Sequence, residues 1–262
     1  EIPADAKLAV IFAPGRDYDQ SSLKKLDTFL SNNEKLGKSL VFVPNTQPDQ
    51  IPELNSFLEE WGMSVGSGVM FELSTDHLYN NTTPFWSAAE YVDEDYSSVI
   101  TNKSIPVSVM QSRPIEILKE SESIKVLLES TENSGIYSVD AAEGWQPEES
   151  DLTGPVTLAA VSTKQVSGVD DVSNVAVVGS AAAFASSLLS STSVNNSAYF
   201  INMFNTLAER EDTVLIEAKT LGGATMSVTT NVSIPLGVVF TIVLPLLILV
   251  TGLVIWIRRR NR

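Results

Sequence analysis

Two residues that could bind a ligand follow the first predicted strand. Arg16 and Asp17 come directly after the apolar run LAVIFA of residues 8–13. Polar groups at the carboxyl end of such a strand are where α/β proteins bind ligands. The intervening turn Pro14-Gly15 lacks the glycine spacing and the Lys-Ser/Thr ending of a phosphate-binding loop. The segment is therefore either a ligand-contacting loop or a plain strand-to-helix turn.

Ser180 occupies a second strand end, directly after the run NVAVVG of residues 174–179. A serine between a strand and a helix is typical of the nucleophile in α/β hydrolases. The Gly-x-Ser-x-Gly turn of those enzymes needs glycine where this chain has Val178 and Ala182, and the single histidine, His77, would have to be the base. These departures favour a structural or ligand-binding serine, and we expect no catalytic residue.

Aromatic residues are concentrated in residues 74–104, a stretch rich in Asn, Thr, Ser, Asp and Tyr without helical or strand periodicity. We predict a long irregular surface excursion here. Its aromatic side chains either form a platform for a carbohydrate or peptide or anchor the excursion to the core. They are Tyr79, Phe85, Trp86, Tyr91 and Tyr96, of which Trp86 and Tyr91 are the candidate contact residues.

Acidic residues form several short clusters, at 59–60, 93–95, 148–151 and 170–171. Paired carboxylates can hydrolyse glycosides or bind calcium. The spacing at 93–95 matches the start of a calcium loop, but the required later glycine and glutamate are missing. In a chain this acidic, solvated surface charge explains the clusters, so we expect no metal and no cofactor.

These candidate residues depend on elements that alternate between strand and helix. Residues 8–13, 39–43 and 64–71 have the apolar pattern of buried strands, and the segments between them have the spacing of amphipathic helices. This order predicts an α/β fold with a doubly wound, mostly parallel sheet. Further strands are predicted at 105–111, 124–130, 154–162, 174–179 and 213–219, and further helices at 181–190 and 195–209.

The composition excludes several classes of protein. The chain has 262 residues, 17 Lys and Arg against 32 Asp and Glu, a net charge of −15, no cysteine and one histidine. A strongly acidic surface argues against a nucleic-acid partner, because binding to phosphates needs basic side chains. The absence of cysteine excludes disulfides and thiolate zinc sites.

Residues 234–257 form an uncharged run of 24 residues. As a helix it would be roughly 36 Å long, which is enough to cross a hydrocarbon core of about 30 Å. We predict a single transmembrane helix, kinked at Pro245, with Gly237, Pro245 and Gly252 packing against other helices.

The flanking residues predict the domain organisation. The α/β domain covers residues 1–222, a polar linker 223–233 and a basic tail 258–262. All 32 acidic residues precede the span and four arginines follow it. Because positive charge concentrates on the cytoplasmic side, we expect the domain outside the cell and the C-terminus in the cytoplasm. The chain starts without a targeting signal, so we expect a preceding part with its own membrane segment.

Several segments together resemble one family, the GldG-like auxiliary proteins of bacterial ABC transporters, known from gliding motility and from an uncharacterised ABC-type transport system. The matching segments span residues 2–44, 54–72, 113–120, 126–134, 154–162, 175–187 and 195–210, followed by the span with its arginine tail. Two positions differ, since the family often has Asp where this chain has Ser180 and Trp where it has Gly135.

This resemblance implies a flavodoxin-like fold, related to domains of intraflagellar-transport proteins. It also implies a bacterial cell membrane as the location, with an ABC permease and an ATPase as partners. We therefore expect a non-enzymatic, membrane-anchored accessory subunit of an ABC-2-type transporter, whose outer domain binds a substrate or partner. The alternative is an independent surface domain that binds or hydrolyses cell-wall glycan.

Overall fold

A computed structural model places the chain in two compact units, Glu1–Ala218 and Lys219–Arg262. The predicted strand 213–219, the linker 223–233 and Gly237 lie outside the residues that the structure describes. Those residues are 2–46, 51–79, 83–138, 140–141, 144–210 and 238–260.

The described part of the first unit contains eleven strands and five α-helices. The strands are β1 (Leu8–Phe12), β2 (Ser39–Val43), β3 (Met63–Val65), β4 (Val69–Glu72), β5 (Trp86–Tyr91), β6 (Val107–Met110), β7 (Ile115–Ile117), β8 (Ile124–Glu129), β9 (Ser134–Tyr137), β10 (Thr157–Lys164) and β11 (Ser173–Val178). The helices are α1 (Gln20–Ser31), α2 (Pro52–Glu59), α3 (Glu94–Ser97), α4 (Ser186–Leu189) and α5 (Asn196–Leu207).

Seven strands form one curled sheet in the order β1-β2-β11-β10-β8-β5-β6. β1, β2 and β11 run parallel, whereas every other neighbouring pair is antiparallel. The fold is therefore α/β, as predicted. The prediction of a mostly parallel sheet is wrong, because most neighbouring strands are antiparallel. A strand covered on both faces is apolar whatever its direction, so the sequence of β10 could not show that it runs antiparallel.

Both faces of the sheet are covered, because successive side chains of a strand point to opposite sides. Leu40 and Phe42 of β2 pack with α1 and α2 in one core cluster. Val41 and Val43 pack in a second cluster with α5, as the apolar face of this helix predicts. The second cluster includes the buried α5 residues Tyr199, Phe200, Met203 and Leu207. The sheet thus forms the middle of three layers.

Residues 74–104, expected to be an irregular excursion, contain strand β5, which is an internal member of the large sheet. Burial alternates along part of this strand, with Ser87 and Ala89 buried. The strand is hard to recognise in the sequence because its inward residues are small. The predicted single strand 64–71 is divided into β3 and β4, which pair separately with β7 and β9.

The described part of the second unit is one apolar helical segment, from Val239 to Arg260. It begins with a π-helical turn, Val239–Val243, followed by helix α6 (Leu244–Arg260). The π-helical turn widens the helix just before Pro245, whose ring would clash with the backbone of a regular α-helical turn. The segment has 22 residues, and an 18-residue window within it has a mean hydropathy of 2.7, so it is long and apolar enough to cross a membrane, by length and composition alone.

Candidate functional site

Asp17 stabilises the start of helix α2. The residue that precedes this helix, Ile51, has no side chain that could accept a hydrogen bond. The Asp17 carboxylate instead accepts hydrogen bonds from the backbone N–H of Glu53 at 2.8 Å and of Leu54 at 3.1 Å. A carboxylate at this end of a helix satisfies free N–H groups and opposes the helix dipole. The neighbouring Arg16 is exposed.

Ser180 is fully buried directly after β11. Its hydroxyl donates to the carbonyl oxygen of Met110 at 2.7 Å and accepts from the N–H of Ala183 at 3.1 Å. These contacts join the end of β6 to the 3-10 turn Ala181–Phe184. The hydroxyl is thus engaged on both sides by backbone groups, which suits a structural residue rather than an accessible nucleophile.

The preceding Gly179 permits this close approach. A Cβ atom at this position would lie 2.2 Å from the carbonyl oxygen of Arg113, far inside van der Waals contact. The N–H of Arg113 donates to the carbonyl oxygen of Gly179 at 3.0 Å. The segment that follows β6 therefore covers the end of β11, the edge where sequence reasoning expected a ligand.

Trp86 and Tyr91 lie an odd number of residues apart on β5, so their side chains point to opposite faces. The indole Nε1 of Trp86 donates to Ser108 Oγ at 2.7 Å, and its ring lies 4.7 Å from that of Tyr79. These two candidate residues therefore do not form one platform.

The Tyr91 hydroxyl donates to the carbonyl oxygen of Ile105 at 2.8 Å and accepts from Asn195 Nδ2 at 3.0 Å. Burial raises the pKa of Tyr91, and the hydrogen bond from Asn195 partly opposes that rise. Tyr96 is buried, and burial raises its pKa to about 12. Both side chains anchor their segment to the core, which is the second of the two interpretations that the sequence left open.

The curl of the sheet brings two of the five candidates close together. Trp86 is opposite Met110 in the β5–β6 register, while Ser180 contacts the backbone of Met110 from the other side. Arg16 and Asp17 lie after β1, at the far end of the strand order. The candidates thus occupy three separate places: Arg16 and Asp17 after β1, Trp86 and Ser180 beside Met110, and Tyr91 beside Asn195.

The structure places a hydroxyl and a carboxylate beside the single histidine, which sequence reasoning missed. Ser74 Oγ lies 3.4 Å from His77 Nδ1, and Glu90 Oε1 lies 3.4 Å from His77 Nε2. The side chains of His77 and Glu90 are 35% and 50% exposed. Both distances are long for hydrogen bonds, so the three side chains are only loosely associated at the surface. Only the spacing of Ser74 and His77 was visible in the sequence.

A buried carboxylate, Glu72, is a second feature that the sequence did not reveal. It is fully buried and accepts hydrogen bonds from Thr131 Oγ1 at 2.9 Å and from the N–H of Ser74 at 2.8 Å. These bonds fix the end of β4 to the turn before β9. The apolar neighbours of Glu72 in the sequence gave no sign of this arrangement.

The acidic cluster at 93–95 has a structural explanation. Asp93 caps helix α3 and lies 3.2 Å from Lys125 Nζ, which also contacts Asp95 at 2.8 Å. The two hydrogen bonds raise the pKa of Lys125, that to Asp95 having the larger effect. Within the described ranges, no three His, Asp or Glu side chains are grouped so as to hold a metal ion.

In the second unit, Pro245 and Gly252 both lie in the apolar helix, and a Cβ atom at Gly252 would meet no atom within 4 Å beyond the adjoining backbone of its own helix. This open surface leaves room for a neighbouring helix. Gly237, the third predicted packing residue, lies outside the described residues.

No family model and no curated protein matches this chain. Among solved structures, the chain is similar to the mmIFT52 N-terminal domain, with a TM-score of 0.57, 15% sequence identity, and coverage of 82% of this chain and 84% of that one. At this identity the likeness concerns the fold alone. It does not bear on the resemblance to GldG-like proteins.

Proposed function

We propose that this chain is a non-enzymatic accessory subunit of an ABC-2-type transporter, anchored by its C-terminal helix in a bacterial cell membrane. Its α/β domain would lie outside the cell and bind a substrate or a partner, with the C-terminus in the cytoplasm. The choice of transporter partners, a permease and an ATPase, rests on the sequence resemblance to GldG-like proteins.

The non-enzymatic part of the proposal rests on the hydrogen bonds that the side chains at the strand ends form with the backbone. Asp17 binds the N-terminus of α2, and Ser180 binds backbone groups on two sides. Side chains that are hydrogen-bonded in this way hold secondary-structure elements in place. Moving them toward a substrate would leave buried backbone groups unpaired. This arrangement supports a binding or scaffolding domain.

The orientation rests on the charges at the end of the apolar helix. Arg258, Arg259 and Arg260 form its last turn, and positive residues next to a span are retained in the cytoplasm. An outward-facing domain would meet substrate or envelope components before the permease does.

Affinity purification of the full-length protein from native membranes in mild detergent, followed by mass spectrometry, tests the proposal. Stoichiometric recovery of an ABC ATPase and a multi-span permease would support it. Recovery of the protein alone, unchanged by cross-linking before solubilisation, would refute the transporter role. Gly252→Leu should reduce recovery of the permease if the open surface at Gly252 packs against it, whereas Leu253→Ile leaves recovery unchanged.

A second function, glycan binding by an independent surface domain, is favoured by one aromatic group. The ring centroids of Tyr137 and Trp145 lie 4.8 Å apart, and that of Phe85 lies 5.7 Å from that of Tyr137. Partly exposed rings can stack on the apolar face of a sugar. Titration of the full-length protein with soluble peptidoglycan fragments tests this function. Binding that is lost in Trp145→Ala but kept in Trp256→Ala would support it, and no binding by the native chain would refute it.

A further inference from the structure

The last turn of helix α6 concentrates positive charge in a unit that has no acidic side chain. Arg258, Arg259 and Arg260 are consecutive, and all three are exposed. Residues 219–262, which make up the second unit, contain one lysine, four arginines and no Asp or Glu. Guanidinium groups remain charged at any physiological pH. No side chain of this unit can therefore neutralise them.

The length of the apolar segment determines the depth of these arginines in a membrane. In the anchor proposed above, the uncharged residues 239–257 cover about 28 Å as a helix, close to the ~30 Å of a hydrocarbon core. The next residue, Arg258, would therefore lie at the boundary between the hydrocarbon and the lipid headgroups. Trp256 precedes this boundary by half a turn, at the depth where indole rings are enriched in membrane proteins.

Arg260 folds back onto the ring of Trp256. Its guanidinium carbon Cζ lies 5.4 Å from the centroid of the indole ring, which is itself 58% exposed. The two residues are four positions apart and share a face of the helix, where side chains tilt toward the N-terminal end. The tilt and the ring contact hold the charge of Arg260 close to the depth of Trp256, at the level of the headgroups.

Arg259 adds a second guanidinium group on the same side of the helix. It follows Trp256 by three positions, which places the two residues on neighbouring parts of one face. Arg258 is turned about 160° away from Arg260, because each helical residue advances about 100°. A guanidinium group can bind two oxygens of a phosphate at once through the N–H groups along its edge. The ring of Trp256 contacts Arg260 over the ring face and leaves that kind of binding possible.

We propose that Arg259 and Arg260, with Trp256 supporting Arg260, bind the phosphate group of an anionic phospholipid in the leaflet around the end of α6. An anionic headgroup neutralises the guanidinium charge, whereas a zwitterionic headgroup brings its own cation close to the arginines. This inference rests on the membrane anchor of the proposed function. It does not depend on the transporter partners or on the orientation of the helix.

Native mass spectrometry of the full-length protein in mild detergent measures the binding of individual lipids. The probes are dioleoylphosphatidylglycerol and dioleoylphosphatidylcholine, which have the same acyl chains and differ in net charge. We expect phosphatidylglycerol to bind at least ~10 times more tightly. Equal affinities for the two lipids would overturn the proposal. Release of the bound lipid by an excess of inorganic phosphate would also overturn it, because the ligand would then be a free anion.

Substitutions that remove the same charge distinguish a defined site from a general attraction. Arg260→Gln should weaken phosphatidylglycerol binding about 5-fold, whereas the matched control Arg258→Gln, on the other side of the helix, should weaken it less than ~2-fold. Trp256→Leu keeps the charge and an apolar side chain, and it should weaken binding ~3-fold because Arg260 loses its ring contact. Equal losses in Arg258→Gln and Arg260→Gln would overturn the assignment of the site to this face.

Alkaline carbonate extraction of native membranes separates a failure of this inference from a failure of the proposed function. A protein with a spanning helix stays in the membrane pellet and is released by detergent, and the three variants should behave like the native chain. Release by carbonate would refute the anchor and the lipid site together. Retention in the pellet combined with equal affinities for the two lipids would refute the lipid site alone.

Discussion

At the scale of single residues, side chains that look reactive in the sequence hold the backbone together in the structure. Asp17 and Ser180 both follow strands of the parallel part of the sheet, where ligands bind in many α/β proteins. Each instead forms hydrogen bonds to backbone groups of another segment. Their replacement should therefore change stability first, and binding only as a consequence.

Asp17→Ala should destabilise the domain by about 1 kcal/mol, because the first N–H groups of α2 lose their acceptor. Asp17→Asn keeps an acceptor oxygen and should cost less. Urea unfolding of the full-length protein measures both. Arg16→Ala, at the exposed neighbouring position, serves as the control and should shift stability by less than about 0.5 kcal/mol. A larger loss in Arg16→Ala than in Asp17→Ala would contradict the capping role.

Ser180→Ala should cost about 1–3 kcal/mol, since it leaves the N–H of Ala183 and the carbonyl oxygen of Met110 without their buried partner. Thermal unfolding provides the measurement. Ser190→Ala is the matched control, because the exposed Ser190 hydroxyl donates to the carbonyl oxygen of Ser186 in its own helical turn. Labelling of native Ser180 by a serine-reactive phosphonate would show instead that the hydroxyl is an accessible nucleophile.

At the scale of elements, two glutamates that face each other on neighbouring strands make the stability of the domain depend on pH. Glu90 of β5 is opposite Glu129 of β8 in the register. Partial burial raises the pKa of Glu129, and the charges of Glu90 and Glu132 raise it further. This carboxyl group is therefore harder to ionise in the folded domain than in the unfolded chain.

Glu129→Gln should consequently stabilise the domain at pH 7, because a neutral amide avoids the cost of ionising a partly buried carboxyl group close to Glu90 and Glu132. A folded-state pKa above the ordinary value of 4.5 means that ionisation costs stability as pH rises through the folded pKa. The advantage of Glu129→Gln should disappear below the ordinary pKa, where both side chains are neutral. Urea unfolding at pH 7 and pH 4 measures this, with the exposed Glu122→Gln as control. An equal gain at both pH values would contradict the electrostatic explanation.

The sequence predicted elements better than their arrangement. The runs at 8–13, 39–43 and 174–179 were identified as strands, and they form the parallel part of the sheet. β5 was missed because small inward residues hide its period. The direction of β8 and β10 was also missed, since direction depends on pairing between distant segments. The same limit applies to the site: hydrogen bonds such as those of Asp17 and Glu72 join residues far apart in the chain, which periodicity does not report.

At the scale of the whole molecule, the chain combines an acidic α/β domain with an apolar helix that ends in arginines. The charge distribution is the basis for the proposed topology. All 32 acidic residues precede the apolar run, and four arginines follow it. Translocating those arginines across a bilayer would oppose the tendency of positive charge to stay in the cytoplasm.

Single-cysteine labelling of intact cells tests this topology without a background signal, because the native chain has no cysteine. Ser187→Cys, at an exposed position in the domain, should react with a membrane-impermeant maleimide in intact cells. Asn261→Cys should react only after the membrane is made permeable, because the proposed topology places the tail in the cytoplasm. The reverse pattern would invert the topology, and labelling of both positions in intact cells would exclude a spanning helix. An inverted domain would still fold as described, but it could not bind ligands at the cell surface.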